Sequence, residues 1–377
     1  MSIGLHLKDH RVMSTAMLVV AAAGYVVLVA LSLWRLIAFP REMRADMADS
    51  GRAFGFFTFI AAGNVLGIRL IAEGRHSTAA VLLVVSALTW LVLGYVIPWT
   101  AVLGTTQRPV LAKANGTWFV WVVASESVAI AAATLQPVYD EFDRLLAAVA
   151  VFTWAVGLFL YAAAGIFVAA RMLQYPLRPT DLTAPYWVSM GACSIIVVAG
   201  AHIVEMADAP MVDATRGLIA GLAVVIWAFA TWLFPPLIAA GWWRHRVHKV
   251  PLTYDSSLWS IVFPLGMYAV AGIHLGRADD LPLVGMVGSV ELWVAVAAWV
   301  LVFVAMVHRI WTTLLRGGGH STTGRTDPAD PHHPPIGPHR AATVSGVSVE
   351  LVDTETVHGS LHVPDGPSRG AVALTHG

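Results

Sequence analysis

The chain has 377 residues, of which 57% are hydrophobic and only 12% are charged, and its formal net charge at pH 7 is zero. This balance excludes an ordinary soluble domain, and the neutral charge gives no electrostatic reason to expect a nucleic-acid partner. The single cysteine, Cys193, excludes a disulfide framework and a cysteine metal cluster. The 15 tryptophans fit anchoring at the membrane interface, where indole rings are enriched.

Nine segments are apolar and long enough to cross about 30 Å of hydrocarbon, because a helix rises about 1.5 Å per residue. They predict an all-α integral membrane fold surrounded by the lipid bilayer. In chain order the predicted spans are Met13–Ile37, Ala53–Ala72, Thr78–Trp99, Thr117–Leu135, Leu146–Leu173, Pro185–Val204, Arg216–Trp243, Ser257–Leu275 and Ser289–Leu315.

These spans alternate between two compositions. One set is long and aliphatic, as in Ala79–Val96 and Glu291–Val307. The other set is rich in small and polar residues, as in Phe54–Leu70 and Thr117–Leu135, and several of its members begin with a small or polar residue followed by an aromatic one. This indicates a weak repeat of two-helix units of about 60 residues. Small residues let helices approach closely and polar ones need a non-lipid neighbour, so we predict an inner ring wrapped by an outer ring. The alternative is an ordinary bundle in which the small residues only pack.

The inner segment Leu258–Leu275 contains Pro264, Gly266 and Gly272. Proline removes an intrahelical hydrogen bond and glycine lowers helix stability, so these residues predict an interrupted helix. In lipid such a helix needs neighbouring helices or a cavity to satisfy the freed backbone groups. We therefore predict that it faces a pore or a central seam, with Phe263 as a plug at the break. Packing in the core is the alternative for Phe263.

The further pore-lining candidates all lie on the predicted inner spans, and they are Phe57, Asn64, Ser125, Glu126, Ser189, Ser194 and Gly266. A carboxylate in mid-membrane costs about 2.5–3.5 kcal/mol, so Glu126 is expected to face the bundle interior, protonated or paired. Two roles are open for Glu126. It takes part in proton coupling or pH gating, or it is a structural buried acid that is hydrogen-bonded to a neighbouring residue. Arg69 is expected to snorkel towards the interface rather than attract anions. His202 and Glu205 are a candidate vestibule pair, although interfacial solvation explains them equally well.

Lysine and arginine are divided unevenly between the two sides of the predicted bundle, with 13 on one side and six on the other. Cytoplasmic loops carry the excess of these residues, so the richer side is predicted to be cytoplasmic. The C-terminal tail lies on that side, and nine spans place the N-terminus outside. We expect a multi-pass protein of the cell membrane.

The composition changes after the predicted transmembrane domain, which covers residues 1–316. Residues 317–345 are rich in Gly, His and Pro and predict a disordered linker, whose histidines are expected to be solvated rather than bound to metal. Residues 346–377 contain short alternating runs, Val347–Val352, Val357–Val363 and Ala371–Leu374, that predict β-strands.

Five motifs carry a family resemblance: Phe54-Gly55-Phe56-Phe57-Thr58, Asn64-Val65-Leu66-Gly67, Asn115-Gly116-Thr117-Trp118-Phe119, Tyr186-Trp187-Val188-Ser189-Met190-Gly191 and Leu258-Trp259-Ser260-Ile261-Val262-Phe263-Pro264. Up to about Leu315 the chain resembles the tellurite-resistance/dicarboxylate transporter family, which includes the plant slow-type anion channels. The resemblance implies ten helices in five hairpins, with the odd helices around a central pore, and a homotrimer with one pore per subunit. It also implies that a phenylalanine on the ninth helix occludes the pore, and Phe263, followed by Pro264, falls on that position.

The same resemblance implies a first inner helix, of which Ser2–Leu7 is expected to be only the last part. It implies transport of small anions, namely inorganic oxyanions, halides or C4-dicarboxylates, without a cofactor and without enzymatic activity. Both a channel and a proton-coupled carrier fit these helices. A haem protein is the less favoured class, because His202, His274 and His308 lie near the ends of their spans.

The tail after residue 346 resembles the first strands of an α/β-hydrolase of the dienelactone-hydrolase type. The Gly-x-Ser-x-Gly elbow that carries the nucleophile of such enzymes occurs nowhere in the chain, so no hydrolase chemistry is expected. The alternative function is therefore that of a non-functional fragment of a bifunctional transporter–hydrolase fusion.

Overall fold

The computed structural model describes residues 1–104, 108–207, 209–278 and 281–317, together with the backbone of four short strands beyond residue 341. Met1–Gly318 forms one compact unit and Gly319–Gly377 forms a second. All regular structure described in the first unit is helical, and nine of the described helical segments are long and apolar enough to span a membrane. The predicted all-α integral membrane fold is therefore confirmed.

The first unit contains the following described α-helices: α1 (Ser2–Leu7), α2 (Arg11–Ala38), α3 (Pro40–Ala48), α4 (Thr58–Ile71), α5 (His76–Ile97), α6 (Val120–Leu135), α7 (Asp143–Gln174), α8 (Val188–Val204), α9 (Pro210–Trp242), α10 (Trp259–Ala278) and α11 (Pro282–Gly317). Short 3₁₀ turns lead into α4, α6, α8 and α10, at Ala53–Phe57, Gly116–Phe119, Ala184–Trp187 and Ser256–Leu258, and a further one leads into α7 at Asp140–Phe142. π-helical turns extend α5 over Pro98–Leu103 and α9 over Trp243–Val247.

Four of the nine spans, built on α4, α6, α8 and α10, form the interior of the bundle. Between 50% and 89% of the residues in their most apolar stretches are buried, against 6–33% in α2, α5, α7, α9 and α11. α6 packs against α4 and α8, and α8 packs against α10. Each inner helix also packs against the outer helix that follows it in the chain. The inner and outer sets predicted from composition are both observed.

The short helix α1 lies between the last and the first of these inner helices. Leu5 packs with Ala269 and Ile273 of α10, and Ser2 Oγ accepts a hydrogen bond from Arg69 Nε of α4 at 3.1 Å. α1 also packs against α2. The segment that the resemblance assigns to the first inner helix therefore occupies a place in the inner ring.

The sequence repeat of a polar residue followed by an aromatic one coincides with the 3₁₀ turns that begin the inner spans. Asn115 Oδ1 accepts a hydrogen bond from the amide of Thr117, and Asp255 Oδ1 accepts one from the amide of Ser257, each at 2.8 Å. Such caps satisfy amide groups that have no carbonyl partner at the start of a helix. Hydrogen bonds from Ser257 lower the pKa of Asp255, so its carboxylate keeps its charge at neutral pH and fixes the start of α10.

These turns pack against one another at the end of the bundle where α4, α6, α8 and α10 begin, which we call the basic end. A Cβ atom on Gly116 would lie 2.1 Å from the carbonyl oxygen of Pro185, so the α6 and α8 turns meet where only glycine fits. Trp118 Nε1 donates a hydrogen bond to the carbonyl of Ser50 at 2.9 Å. Its ring lies 4.7 Å from that of Phe54, measured between centroids.

Helix α10 is continuous through Pro264, which differs from the interruption expected from the sequence. Gly191 of α8 lies against this proline, and a Cβ atom there would lie 2.9 Å from Pro264 Cγ. Gly272 marks a close contact instead of a break, because a Cβ atom on it would lie 2.9 Å from the Cα atom of Gly288 in α11. The glycines at these points let neighbouring backbones approach, which is the role of small residues in membrane helices.

The second unit contains four described strands, β1 (Ala342–Val344), β2 (Val347–Thr354), β3 (Val357–Pro364) and β4 (Leu374–Thr375), in this order across one antiparallel sheet. Two of the predicted runs, Val347–Val352 and Val357–Val363, lie within β2 and β3. Residues 318–341 of the predicted linker lie outside the described residues. The hydrolase resemblance of the tail stays a prediction.

We expect Gly272→Ala to lower the thermal unfolding temperature of the protein in detergent micelles by several degrees. The added methyl group would press on the α11 backbone, and overpacking of this kind costs about 1–3 kcal/mol. Gly221→Ala in α9 is the matched control, because no atom lies within 4 Å of the position of its Cβ. Equal unfolding temperatures for Gly272→Ala and the unchanged protein would contradict the close packing of α10 on α11.

Candidate functional site

The predicted gate lies on α10 beside α8. Every residue from Val262 to Ile273 is buried except Phe263, which packs against the main core and keeps part of its surface exposed. Its neighbour Pro264 is buried against Gly191 of α8. Phe263 is therefore the one residue of this described stretch that is not buried.

Gly266 lies three residues beyond the predicted gate, close to α1. A Cβ atom on Gly266 would lie 2.7 Å from Cε of Met1, so the missing side chain makes room for that methionine. The structure thus brings α1 to the same stretch of α10 that carries Phe263 and Pro264.

A polar pair joins α4 and α6 inside the bundle. Asn64 is fully buried, and its Nδ2 donates a hydrogen bond to Ser127 Oγ at 3.1 Å. Ser127 Oγ in turn donates to the carbonyl of Ala124 at 2.7 Å. Asn64 Oδ1 accepts no hydrogen bond from the described residues. Ser127 was absent from the predicted pore lining, although its position in a polar inner span was a signal for it.

Ser125 and Glu126 point away from that pair, towards the outer helices. Trp90 Nε1 of α5 donates a hydrogen bond to Ser125 Oγ at 2.7 Å. Glu126 lies against Gly157 of α7, where a Cβ atom would come within 2.1 Å of Glu126 Oε1. Successive helical residues differ by about 100° in direction, which explains why Ser125, Glu126 and Ser127 reach three different helices. Neither carboxyl oxygen of Glu126 is hydrogen-bonded to a described residue.

The remaining pore-lining candidates are engaged in local contacts. Phe57 is fully buried, and its ring stacks on Trp121 with centroids 5.7 Å apart. Ser189 and Ser194 each donate a hydrogen bond to a carbonyl about one turn earlier in their own segment, at 2.7 and 2.9 Å. Such bonds satisfy a hydroxyl group within its own helix. The structure therefore does not gather all the predicted residues into one cluster.

Arg69 is buried, with 3% of its surface exposed, so the expected snorkelling is wrong. Its Nε donates to Ser2 Oγ at 3.1 Å and its Nη2 to Ser14 Oγ at 3.0 Å. Nη2 also pairs with Glu73 Oε1 at 2.7 Å. Arg69 therefore ties α4 to α1 and α2. Sequence reasoning missed these contacts because the two serines are 67 and 55 residues away along the chain.

Two histidines meet at the end of the bundle opposite the basic end. The rings of His202 in α8 and His274 in α10 have centroids 4.8 Å apart and planes inclined by 58°. Both residues are partly exposed. Glu205, the expected vestibule partner of His202, is exposed and forms no hydrogen bond or ion pair with it among the described residues.

Ion pairs and backbone contacts hold the loops of the basic end. Asp46 pairs with Arg35 and Arg52, and the hydrogen bond from Arg52 is the main cause that lowers the pKa of Asp46. Arg244 donates hydrogen bonds to the carbonyl groups of Pro179 and Thr180, at 3.0 and 2.8 Å. Exposed pairs contribute about 0–1 kcal/mol each, so these contacts position loops more than they stabilise the fold.

We expect Arg69→Met to lower the unfolding temperature and to increase hydrogen exchange in α1 and α2. The substitution removes the bonds to Ser2 and Ser14, and buried polar groups left without a partner cost about 1–3 kcal/mol. Arg75→Met, at an exposed position close by in the chain, is the control and should leave both measurements unchanged. Unaltered exchange in α1 and α2 of Arg69→Met would contradict the linking role.

The match to a known protein family covers nearly all of the helical unit. The family model described as a voltage-dependent anion channel matches residues 1–307. An uncharacterized membrane protein of Mycobacterium tuberculosis is 59% identical over 164 residues, which cover 44% of this chain and 83% of that protein. An uncharacterized transporter of Methanocaldococcus jannaschii is 22% identical over 287 residues, which cover 75% of this chain and 82% of that protein. The resemblance inferred from the sequence motifs is confirmed.

Proposed function

This chain belongs to the voltage-dependent anion channel family and is a multi-pass membrane protein of anion transport, and from that premise we propose that Phe263 gates a pore along its inner helices. The observation that carries the proposal is the partial exposure of this ring within an otherwise buried stretch of α10. An aromatic side chain can close a narrow apolar pore by its bulk and by excluding water.

Opening requires only a small movement of the ring. The α10 backbone is held by the contacts of Pro264 with Gly191 and of Gly272 with Gly288, so a shift of the whole helix would break close packing on two sides. A change of the Phe263 rotamer leaves both contacts in place. We therefore assign the gating movement to the side chain.

The charge distribution of the inner helices suits an anion. The polar pair of Asn64 and Ser127 is neutral, and the carboxyl group of Glu126 lies towards α7, away from that pair. All four inner spans begin at the basic end, and helix N-termini carry partial positive charge. Basic loops at the same end add to the attraction of anions from solution.

We propose that the transported anions are small inorganic oxyanions, halides or C4-dicarboxylates. We propose passive conduction as the mode of transport. A neutral pore with few polar groups discriminates mainly by size and by the cost of removing water from the ion. The position of Glu126 supports passive conduction, because its titratable carboxyl group lies towards α7 and away from the polar pair of Asn64 and Ser127.

The cell membrane, with the basic end and the C-terminal tail in the cytoplasm, is the proposed location. The excess of lysine and arginine on that side supports this orientation. A homotrimer with one pore per subunit is proposed from the family resemblance, and chemical cross-linking in native membranes tests it. Cross-linked species no larger than a dimer would contradict the trimer.

We expect Phe263→Ala to raise anion flux several-fold in proteoliposomes, measured with chloride and nitrate gradients, because the shortened side chain no longer closes the pore. Phe159→Ala is the matched control, since Phe159 lies on the outer helix α7 with 76% of its surface exposed. Its flux should equal that of the unchanged protein. Equal flux in a folded Phe263→Ala protein would remove Phe263 from the mechanism.

We expect Glu126→Gln to leave anion flux within about twofold of the unchanged protein, which corresponds to a barrier change of less than about 0.5 kcal/mol. The substitution preserves shape beside Gly157 and removes only the titratable group. The measurement is flux with and without an imposed pH gradient. Loss of a pH-driven component in Glu126→Gln would instead identify a proton-coupled carrier and contradict passive conduction.

A further inference from the structure

We propose that His202 and His274 form a binding site for a divalent transition-metal ion such as Zn²⁺, at the end of the inner helices opposite the basic end. Imidazole nitrogen is a preferred ligand of zinc. The two rings belong to different inner helices, α8 and α10, so a metal bound between them would connect these helices directly.

The spacing of the rings fits a shared tetrahedral ion. Zinc bonded to one nitrogen of each ring at about 2.0–2.1 Å, with a tetrahedral angle between the bonds, puts the two ring centroids about 5 Å apart. The observed separation of the His202 and His274 centroids is 4.8 Å, with the planes inclined by 58°. A haem iron needs its two imidazoles on opposite faces of the porphyrin, with centroids about 6 Å apart and the macrocycle between them, so this pair is too close for haem.

Both histidines are available for such an ion. Each is partly exposed, so an ion can reach the pair from solution. Neither ring is engaged in a hydrogen bond within the described chain. The ring nitrogens are therefore not occupied by a backbone carbonyl or another side chain of the described residues.

The site supplies two protein ligands, and water completes the shell. No group of three or more His, Cys, Asp or Glu side chains suited to a metal occurs among the described residues. Arg277, three residues after His274, is held by the carbonyl of Leu7 through a hydrogen bond of 2.7 Å, and its charge lowers the affinity for a cation. We therefore infer an exchangeable metal of modest affinity and not a permanent structural one.

The metal site and the proposed pore share two helices, and the effect expected on transport rests on the proposed function. α10 carries both His274 and Phe263, and α8 carries both His202 and the Gly191 that contacts Pro264. A metal bridge would restrict the movement of one helix against the other, whereas the proposed gating movement is confined to the Phe263 side chain. Zinc added on the side of the histidines is therefore expected to leave anion flux unchanged.

Isothermal titration of the full-length protein in detergent with ZnCl₂ tests the site without relying on transport. The chain has 15 histidines, and others among them can also bind zinc in the titration. The informative quantity is therefore the difference between variants in the number of zinc ions bound per protein chain. We expect His202→Asn and His274→Asn each to lose one zinc site, and the double variant to lose no more than either single one. His248→Asn is the matched control, because His248 is an exposed histidine that contacts the carbonyl of Trp243.

Unchanged stoichiometry in both single variants, or the loss of a site only in the double variant, would overturn the shared site. If a variant elutes as aggregate, His202→Gln and His274→Gln, which keep more of the side-chain volume, replace it in the same titration. The unfolding temperature gives a second readout, since ZnCl₂ should raise it more in the unchanged protein and in His248→Asn than in the paired variants. Zinc binding that lowers flux would overturn the assignment of gating to the Phe263 side chain alone and leave the metal site standing.

Discussion

The close approach of α10 to its neighbours is the constraint on which the arrangement of the inner helices depends. Glycines face it from two sides, at Gly191 in α8 and at Gly288 in α11, where an added Cβ atom would collide with the α10 backbone or with Pro264. Without a hydrophobic driving force between helices in lipid, such close packing supplies the association energy. The position of Phe263 follows, because its backbone is fixed by these contacts while its side chain stays partly exposed.

Burial of polar groups organises the rest of the bundle. Arg69 donates hydrogen bonds to serines of α1 and α2, which ties these helices to α4, and Asn64 joins α4 to α6 through Ser127. One atom of each of these two side chains, Arg69 Nη1 and Asn64 Oδ1, has no partner among the described residues, and in Glu126 both carboxyl oxygens lack one. Glu126 lies where Gly157 leaves room for it, which keeps a charge-bearing group on the side away from the neutral polar pair.

The proposed pore and the proposed metal site share the same two helices. α8 and α10 meet at Gly191 and Pro264 in one region, and at His202 and His274 in another. A ligand that binds both helices favours one arrangement of the helices over another only through contacts that differ between the two arrangements. The histidine pair offers such a contact, because a shared ion needs both rings at the observed spacing.

The amino-acid sequence by itself determined the membrane class, the nine spans and their division into inner and outer helices, because span length and the alternation of small and aliphatic residues are local properties. It also identified the family, through motifs that lie at the starts of the inner helices. Only the tertiary structure decided which way each polar side chain points, as the separation of Glu126 from Ser127 illustrates. It likewise made Pro264 part of a continuous helix, buried Arg69 and paired His202 with His274, since each depends on a partner distant in the chain.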